Sequence, residues 1–254
     1  MRDVAVGLLV VAATALLLAM NANQPQHGPA TPGSPEPGAS AELDISRLGP
    51  LDAGTRVSAS SAEQPGAQHP YLAWANTVGP RVGIPPRALA AYAAAERAVH
   101  DSSPGCRLSW VTLAGIGAVE SGHGTHGAAT IRDDGGVRPQ VIGPALDGSA
   151  DLGAVSDTDD GSLDGDTAWD RAVGPMQFLP QTWADWGSDA DEDGSVNPHS
   201  LDDASLAAAR YLCASGQDTA TGEGWADAVF SYNHSTGYVR QVYAHAQMYA
   251  ALSR

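Results

Sequence analysis

A single carboxylate ends an apolar segment of the sequence. Residues 115–124 read GIGAVESGHG, in which apolar residues lead to Glu120 and a Ser-Gly-His-Gly turn follows. A carboxyl group at the edge of a core loses solvation, which raises its pKa and favours the neutral acid. A general acid for glycosidic-bond cleavage needs this property, and the glycines leave room for a bulky ligand. The alternative is an ordinary helix-terminal salt bridge.

Two later segments combine amide and aromatic side chains. Residues 172–183 read AVGPMQFLPQTW, and their Gly-Pro turn signal precedes Met176, Gln177 and Phe178. Amides can hydrogen-bond sugar hydroxyl or N-acetyl groups, and rings can stack on the apolar face of a sugar. Tyr232 and Asn233 in the stretch FSYNHSTGY add a second such pair. The alternative is a turn and a capped helix end with core aromatics.

An acidic loop, SDADEDGSVNPHSLDDA, spans residues 188–204. Positions 1, 3, 5, 6 and 7 of an EF-hand loop are matched by Asp189, Asp191, Asp193, Gly194 and Ser195. Position 12 holds Ser200 instead of the usual glutamate. Hard oxygen ligands at alternate positions favour Ca²⁺, although Mg²⁺ or Na⁺ could substitute. The alternative is a solvated acidic turn.

Two other groups of potential metal ligands do not predict a metal site. His123 and His126 have a spacing that binds zinc on a helix, but the residues between them indicate a loop and no third ligand is evident. Residues 157–166, DTDDGSLDGD, have Gly161 where a third acidic ligand would be needed. We therefore expect no zinc site, and a solvated lid or groove wall at residues 157–166.

Helical patterns must position these residues, because no segment shows sustained strand alternation. We predict helices within residues 85–102, 107–120, 202–216, 224–235 and 237–254, and a short helix opened by Pro180 that carries Trp183 and Trp186. Asp202 or Asp203 is the expected N-cap of the third. The irregular stretch between Ser121 and Leu201 is long enough to indicate a functional insertion. The expected fold class is mainly α, with a cleft lined by this insertion.

The N-terminal region predicts export. Residues 4–20 form an uncharged apolar run between the lengths of a signal-peptide core and a membrane span, so residues 1–22 are either a signal peptide or an N-terminal membrane anchor. No cysteine follows to accept a lipid. Residues 23–68 are rich in Pro, Gly and Ser and predict a disordered linker. The folded domain is expected at residues 69–254.

The net charge limits the possible binding partners, and the cysteine content indicates whether a disulfide can form. The formal net charge of −16 argues against nucleic-acid binding. In an exported chain, the two cysteines, Cys106 and Cys213, predict one disulfide; the alternative is two buried thiols.

At these positions together the sequence resembles the lytic murein transglycosylases, lysozyme-like enzymes that cleave peptidoglycan strands. The family pattern is a Glu-Ser pair at a helix end, a Gly-x-Met-Gln segment and a Tyr-Asn segment, in that order. Glu120-Ser121, residues 174–178 and Tyr232-Asn233 match it. The spacing is most similar to the membrane-bound type B branch in an exported, actinobacterial-style form, over residues 69–254.

The resemblance implies a lysozyme-like fold in which Glu120 acts as acid and then as base. The bond between N-acetylmuramic acid (MurNAc) and N-acetylglucosamine (GlcNAc) would be cleaved without water, giving a 1,6-anhydro end. The implied substrate-binding residues are Ser121, Met176, Gln177, Phe178, Tyr232 and Asn233. In the type B branch the calcium loop is longer, so its closing carboxylate would be Asp203, with Asp202 as the other candidate. The resulting ligand set is Asp189, Asp191, Asp193, Ser195 and Asp203.

Two rival functions remain open from the sequence. One is a hydrolytic muramidase that pairs Glu120 with an aspartate of the insertion. The other is a non-catalytic, calcium-dependent peptidoglycan-binding module. On each of these readings we expect a monomer whose partner is the glycan strand.

Overall fold

The computed structural model describes residues 69–149 and 153–254, together with Gly54, Val57 and Ala59. The predicted signal peptide or anchor, residues 1–22, lies outside the described residues, as does nearly all of the predicted linker. Within the linker, Val57 packs half-buried against the core of the domain. Among the described residues, no helix has both the length and the apolar character needed to cross a bilayer.

Helices are the main regular structure of the described domain and strands are few and short, which confirms the mainly α fold class. In chain order they are α1 (Leu72–Val82), α2 (Pro86–Ser102), α3 (Trp110–Ser121), α4 (Pro180–Trp186), α5 (Leu201–Cys213), α6 (Gly222–Tyr232) and α7 (Thr236–Leu252). All six predicted helices are present. Helix α1 was not predicted, and it contains Pro80 in its last turn, a residue that usually argues against a helix.

The central helix α3 carries Glu120 at its C-terminal end. It packs along α7 and also contacts α2, while α2 packs against α1 and α5. The close approach of α3 and α7 depends on Gly115, because a Cβ atom there would lie 2.7 Å from the carbonyl oxygen of Val242. Helix α3 is therefore held deep in the core, and its last turn is positioned by the helices around it.

The insertion between α3 and α5 is long and mostly irregular, as predicted, but it also contains strands that the sequence did not reveal. Strand β1 (Thr130–Ile131) pairs antiparallel with β2 (Val137–Arg138), and β3 (Ile142–Ala145) pairs antiparallel with β4 (Arg171–Val173). Strands of two to four residues are too short for alternation to be recognised. These two strand pairs give the insertion short regions of regular structure.

The predicted disulfide is confirmed. Cys106 and Cys213 are bonded, with their Cα atoms 5.4 Å apart across 107 residues of sequence. The bond joins the segment before α3 to the C-terminal end of α5, so the two helices that flank the insertion are covalently linked.

The predicted N-cap of α5 was wrong. Ser200 occupies that position, and its hydroxyl accepts a hydrogen bond from the Asp203 amide at 3.4 Å. Asp202 instead forms an ion pair with Arg87 and lies 3.2 Å from Nε2 of His69. Long-range partners therefore decide which polar residue caps this helix.

Candidate active site and acidic loop

Glu120 is buried in the last turn of α3, with only 3 % of its surface exposed. Its Oε1 atom accepts a hydrogen bond of 2.7 Å from the hydroxyl group of Tyr238. Burial raises the pKa of Glu120 to about 8, and the hydrogen bond from Tyr238 offsets only part of that rise. The side chain is therefore a neutral acid at pH 7, which is the state that proton donation requires.

Ser121 links the turn after Glu120 to the next motif. Gly122, with a φ of 57°, ends α3 in the left-handed conformation, and Gly124 has a φ of 82°. The hydroxyl of Ser121 accepts a hydrogen bond from the Gly124 amide at 2.7 Å and donates one to the Pro175 carbonyl at 2.6 Å. Ser121 is fully buried, so its role in this structure is to join two parts of the site.

The segment from Gly174 to Phe178 lies directly against Ser121. Gly174 has a φ of 77°, and a Cβ atom there would lie 1.8 Å from the Pro198 carbonyl oxygen, so only glycine fits. Gln177 is 4 % exposed and donates from Nε2 to the Gly174 carbonyl at 2.9 Å. Its amide is thus held in a tight turn within the buried site.

Met176 and Phe178 are packed inside the site. Both are completely buried, and the Phe178 ring meets the rings of Trp183 and Tyr232 edge to face. In this structure both side chains have a packing role, and their predicted contact with a sugar stays a prediction. A local motif does not show whether an aromatic ring faces the cleft or the core.

Two tyrosines, Tyr232 and Tyr238, lie with parallel rings near Glu120. Tyr232 donates a hydrogen bond of 2.7 Å to the Met176 carbonyl, and its ring is parallel to that of Tyr238 within 4° at 6.5 Å between centroids. Asn233 is 6 % exposed at the C-cap of α6. Tyr238 was missed in the sequence, although it closes the FSYNHSTGY stretch, because its contact with Glu120 spans 118 residues.

The acidic loop brings three of the five predicted metal ligands together. Asp189, Asp191 and Asp203 place carboxylate oxygens within 4.8 Å of one another. Asp203 is 1 % exposed and accepts hydrogen bonds from the Ala190 and Asn197 amides at 2.7 and 2.9 Å. Burial, with a smaller contribution from the repulsion of Asp191 and Asp189, raises the pKa of Asp203 to about 6.

The remaining predicted ligands lie outside this group of three. Asp193 and Ser195 are exposed, and Asp193 accepts a hydrogen bond from the Ser195 amide at 2.8 Å. Gly194, with a φ of 88°, makes the sharp turn expected of an EF-hand loop. Asp203 closes the cluster, because Asp202 is engaged with Arg87. Three crowded carboxylates and an oxygen-only donor set fit a hard cation such as Ca²⁺.

The other groups of potential ligands differ from one another. Both ring nitrogens of His123 face tyrosine hydroxyl groups, so neither is directed at His126. In the predicted solvated lid, Asp157 and Asp159 are half-buried and lie with Asp170 in a second carboxylate cluster. Asp170 is fully buried and accepts two hydrogen bonds from Thr158, so the predicted lid is anchored to the buried part of the insertion, although exposed and half-buried residues are interspersed along residues 157–166.

Comparison with known proteins gives one match. Residues 154–229 match the family model described as Transglycosylase SLT domain. The matched region includes the turn at Gly174, the acidic loop and most of α6, whereas Glu120 and Tyr238 lie on either side of it. No curated protein and no solved structure matches the chain. The match supports a lytic transglycosylase family and, with the mainly helical architecture, the predicted lysozyme-like fold class.

Proposed function

We propose that this protein is a peptidoglycan lytic transglycosylase. It cleaves the β-1,4 bond between MurNAc and GlcNAc without water and leaves a 1,6-anhydroMurNAc end. The observation that carries the proposal is the buried, neutral Glu120, which Ser121 and Tyr238 hold beside a segment that matches the Transglycosylase SLT domain. The type B likeness of the sequence supports the same assignment.

The reaction uses Glu120 twice. Its proton passes to the glycosidic oxygen, the bond from that oxygen to C1 of MurNAc breaks, and the electron pair leaves with GlcNAc. The 2-acetamido group of the substrate stabilises the cationic sugar. The Glu120 carboxylate then removes the proton from the C6 hydroxyl while the C6 oxygen bonds to C1, so the acid is restored and no water is consumed.

The surroundings of Glu120 favour this mechanism over two-carboxylate hydrolysis. Burial raises the pKa of Glu120 and the hydrogen bond from Tyr238 lowers it in part; the charge of another carboxyl group is not among the causes of the shift. Hydrolytic glycosidases that use two carboxyl groups hold them roughly 5–9.5 Å apart. A non-catalytic binding module transfers no proton, so it has no need of a buried, neutral carboxyl group.

Substrate binding is assigned to the polar side chains around the acid. We assign sugar binding to the amides of Gln177 and Asn233 and to the hydroxyl groups of Tyr232 and Tyr238. Three of these groups now form hydrogen bonds within the site, and a sugar would share or replace those bonds. Gln177, Tyr232 and Asn233 are each less than a tenth exposed. We therefore expect the glycan to bind with an outward movement of the insertion.

The decisive experiment is mass spectrometry of the products that the purified protein releases from peptidoglycan. Wild type should release 1,6-anhydro ends, and Glu120→Gln should cleave at least ~100-fold more slowly, because general acid catalysis contributes about 10²–10⁴-fold. Glu96→Gln is the matched control. Glu96 is a second glutamate whose pKa burial raises, to about 7, but it bonds the Trp110 amide at the other end of α3.

Each alternative has its own result. Reducing ends that carry ¹⁸O from labelled water would show a hydrolytic muramidase. Binding without cleavage would show a peptidoglycan-binding module. A Glu120→Gln protein with a tenth of wild-type turnover would exclude Glu120 as the acid, whatever the product.

We also propose that Asp189, Asp191 and Asp203 hold a structural Ca²⁺ ion, with Asp193 and Ser195 contributing at the rim. The ion would neutralise carboxylates that otherwise repel one another, and no step of the proposed chemistry uses it. Calorimetric melting in EGTA and in millimolar Ca²⁺ tests this, because a ligand of the folded state raises the melting temperature. Equal melting temperatures would leave the loop as a solvated acidic turn.

The N-terminal region fits this function. We propose that residues 1–22 direct export and that residues 23–68 tether the enzyme in the cell envelope or are released with it. Mass analysis of the protein recovered from the envelope and from the medium, which reads the N-terminal residue, distinguishes a retained anchor from a cleaved signal peptide.

A further inference from the structure

The turn after Glu120 contains an uncommon backbone conformation. His123 has a φ of 63° and lies between Gly122 at 57° and Gly124 at 82°, so three successive residues have a positive φ and His123 is the one that is not glycine. Residues other than glycine rarely adopt this conformation, although histidine tolerates it better than most. A strained residue persists only where its surroundings hold it, so the side chain of His123 must be well anchored.

The His123 side chain is anchored at both ring nitrogens. Nδ1 lies 3.2 Å from the hydroxyl of Tyr92 on α2, and Nε2 lies 3.0 Å from the hydroxyl of Tyr249 on α7. Burial lowers the pKa of His123 to about 3, so the ring is neutral and one nitrogen donates while the other accepts. His123 therefore bridges two helices from the end of a third.

Helix α3 is shaped to let this bridge form. A Cβ atom on Gly117 would lie 2.1 Å from the Tyr92 hydroxyl oxygen, so glycine allows the phenol to pass beneath α3 to His123. The His123 amide donates to the Gly117 carbonyl at 2.8 Å, which closes the turn that contains Glu120. Backbone and side chain of His123 thus constrain the same turn.

Helix α7 holds this turn at a second point. Tyr238 and Tyr249 are eleven residues apart, or about three helical turns, so they project from the same side of α7. Tyr238 bonds Glu120 and Tyr249 bonds His123. A shift of His123 relative to α7 would therefore change the position of Glu120 relative to Tyr238.

We propose that His123 is a positioning residue for Glu120, and that it acts through its hydrogen bonds to Tyr92 and Tyr249. It touches no reacting atom. Its role is to hold Glu120 in the buried position, hydrogen-bonded to Tyr238, that proton transfer needs. This inference rests on the proposed function, in which Glu120 is the acid. Misplacing a catalytic group by about 1 Å can cost on the order of 100-fold in rate.

The test uses Tyr249→Phe and His123→Asn. The first removes one hydroxyl and keeps the ring, and the second keeps tolerance of the left-handed backbone but cannot reach both tyrosines. Thr112→Val is the matched control. It lies two turns earlier on α3 and removes the acceptor of another buried hydrogen bond, 3.0 Å from Trp225 Nε1.

Two quantities are measured for each protein: the split between kcat and KM on soluble glycan strands, and the pKa of Glu120 from the ¹³C shift of its carboxyl group. We expect Tyr249→Phe and His123→Asn to lower kcat about 10-fold or more, with KM within about 2-fold. The pKa of Glu120 should fall by about one unit, because a loosened turn admits water. All three variants should melt at a lower temperature than wild type, because each loses a buried hydrogen bond. Thr112→Val should nevertheless change neither the kcat nor the pKa of Glu120.

The outcomes separate this inference from the function itself. If Tyr249→Phe and folded His123→Asn lose stability as Thr112→Val does, yet keep the wild-type kcat and Glu120 pKa, His123 has only a structural role. If His123→Asn does not fold, Tyr249→Phe decides alone. If wild type cleaves no peptidoglycan but the Glu120 pKa still falls in the variants, the positioning role stands and the proposed substrate is wrong.

Discussion

The buried Glu120 makes a quantitative prediction about stability and pH. Its pKa is about 8 in the folded protein and 4.5 for an ordinary, solvated glutamate. Between these values the folded state keeps a proton that the unfolded chain has released. The protein is therefore most stable, as far as Glu120 is concerned, below pH 4.5, and it loses stability as the pH rises towards 8.

The size of the effect follows from the shift. At about 1.36 kcal/mol per pKa unit, the full shift corresponds to roughly 5 kcal/mol, of which roughly 3–4 kcal/mol is lost between pH 5 and pH 8. The side chain of the Glu120→Gln variant cannot ionise, so the stability of the variant does not have this pH-dependent contribution. The difference in unfolding free energy between Glu120→Gln and wild type should therefore change by roughly 3–4 kcal/mol over that range, in favour of the variant.

Urea unfolding followed by tryptophan fluorescence measures this difference at each pH. Taking the difference matters, because other groups titrate in the same range: burial raises the pKa of Glu96 to about 7 and that of Asp203 to about 6. These contributions are common to both proteins and cancel. The unpaired amide that Glu120→Gln introduces adds a constant that does not depend on pH.

A constant stability difference from pH 5 to pH 8 would refute the reasoning, because it would mean that Glu120 titrates as a solvated group. In the proposed mechanism the same proton controls the chemistry. The plot of kcat/KM against pH should fall on the basic side near pH 8 in wild type, as Glu120 loses the proton that it must donate.

Two further predictions concern the rest of the domain. Changing Cys106 and Cys213 together to serine should lower the free energy of unfolding by roughly 3–5 kcal/mol, because the bond closes a loop of about 100 residues; urea unfolding measures it, and no loss would mean that the bond adds nothing. Asp191→Asn should abolish the rise in melting temperature with Ca²⁺, whereas Asp185→Asn, which removes an exposed charge next to the loop, should keep it.

The sequence predicts the location of Glu120 well, because the pattern that marks it is local. Ten residues are enough to recognise an apolar helix that ends at a carboxylate and is followed by glycines. In the structure that carboxylate is buried. The disulfide is equally accessible, since an exported chain with two cysteines allows one pairing. The helices follow from composition and capping, except α1, where Pro80 obscured the pattern.

The partners of Glu120 could not be predicted, because they depend on tertiary contacts. Tyr238 reaches Glu120 from a helix 118 residues away. The choice between Asp202 and Asp203 is of the same kind. Adjacent residues on a helix point about 100° apart, so one carboxylate faces Arg87 and the other faces the acidic loop. Only the positions of α2 and the loop decide which is which.

The acidic loop and the candidate active site meet at a close backbone contact. Gly174 packs on the carbonyl of Pro198, inside the loop, so closely that no side chain fits at Gly174. The next residue, His199, accepts a hydrogen bond of 2.9 Å from the amide of Val137 in strand β2. The Gly174 turn in turn holds the Gln177 amide. Order in the acidic loop therefore constrains the position of Gln177, so we expect the proposed cation to influence the proposed glycan binding while taking no part in the proposed chemistry.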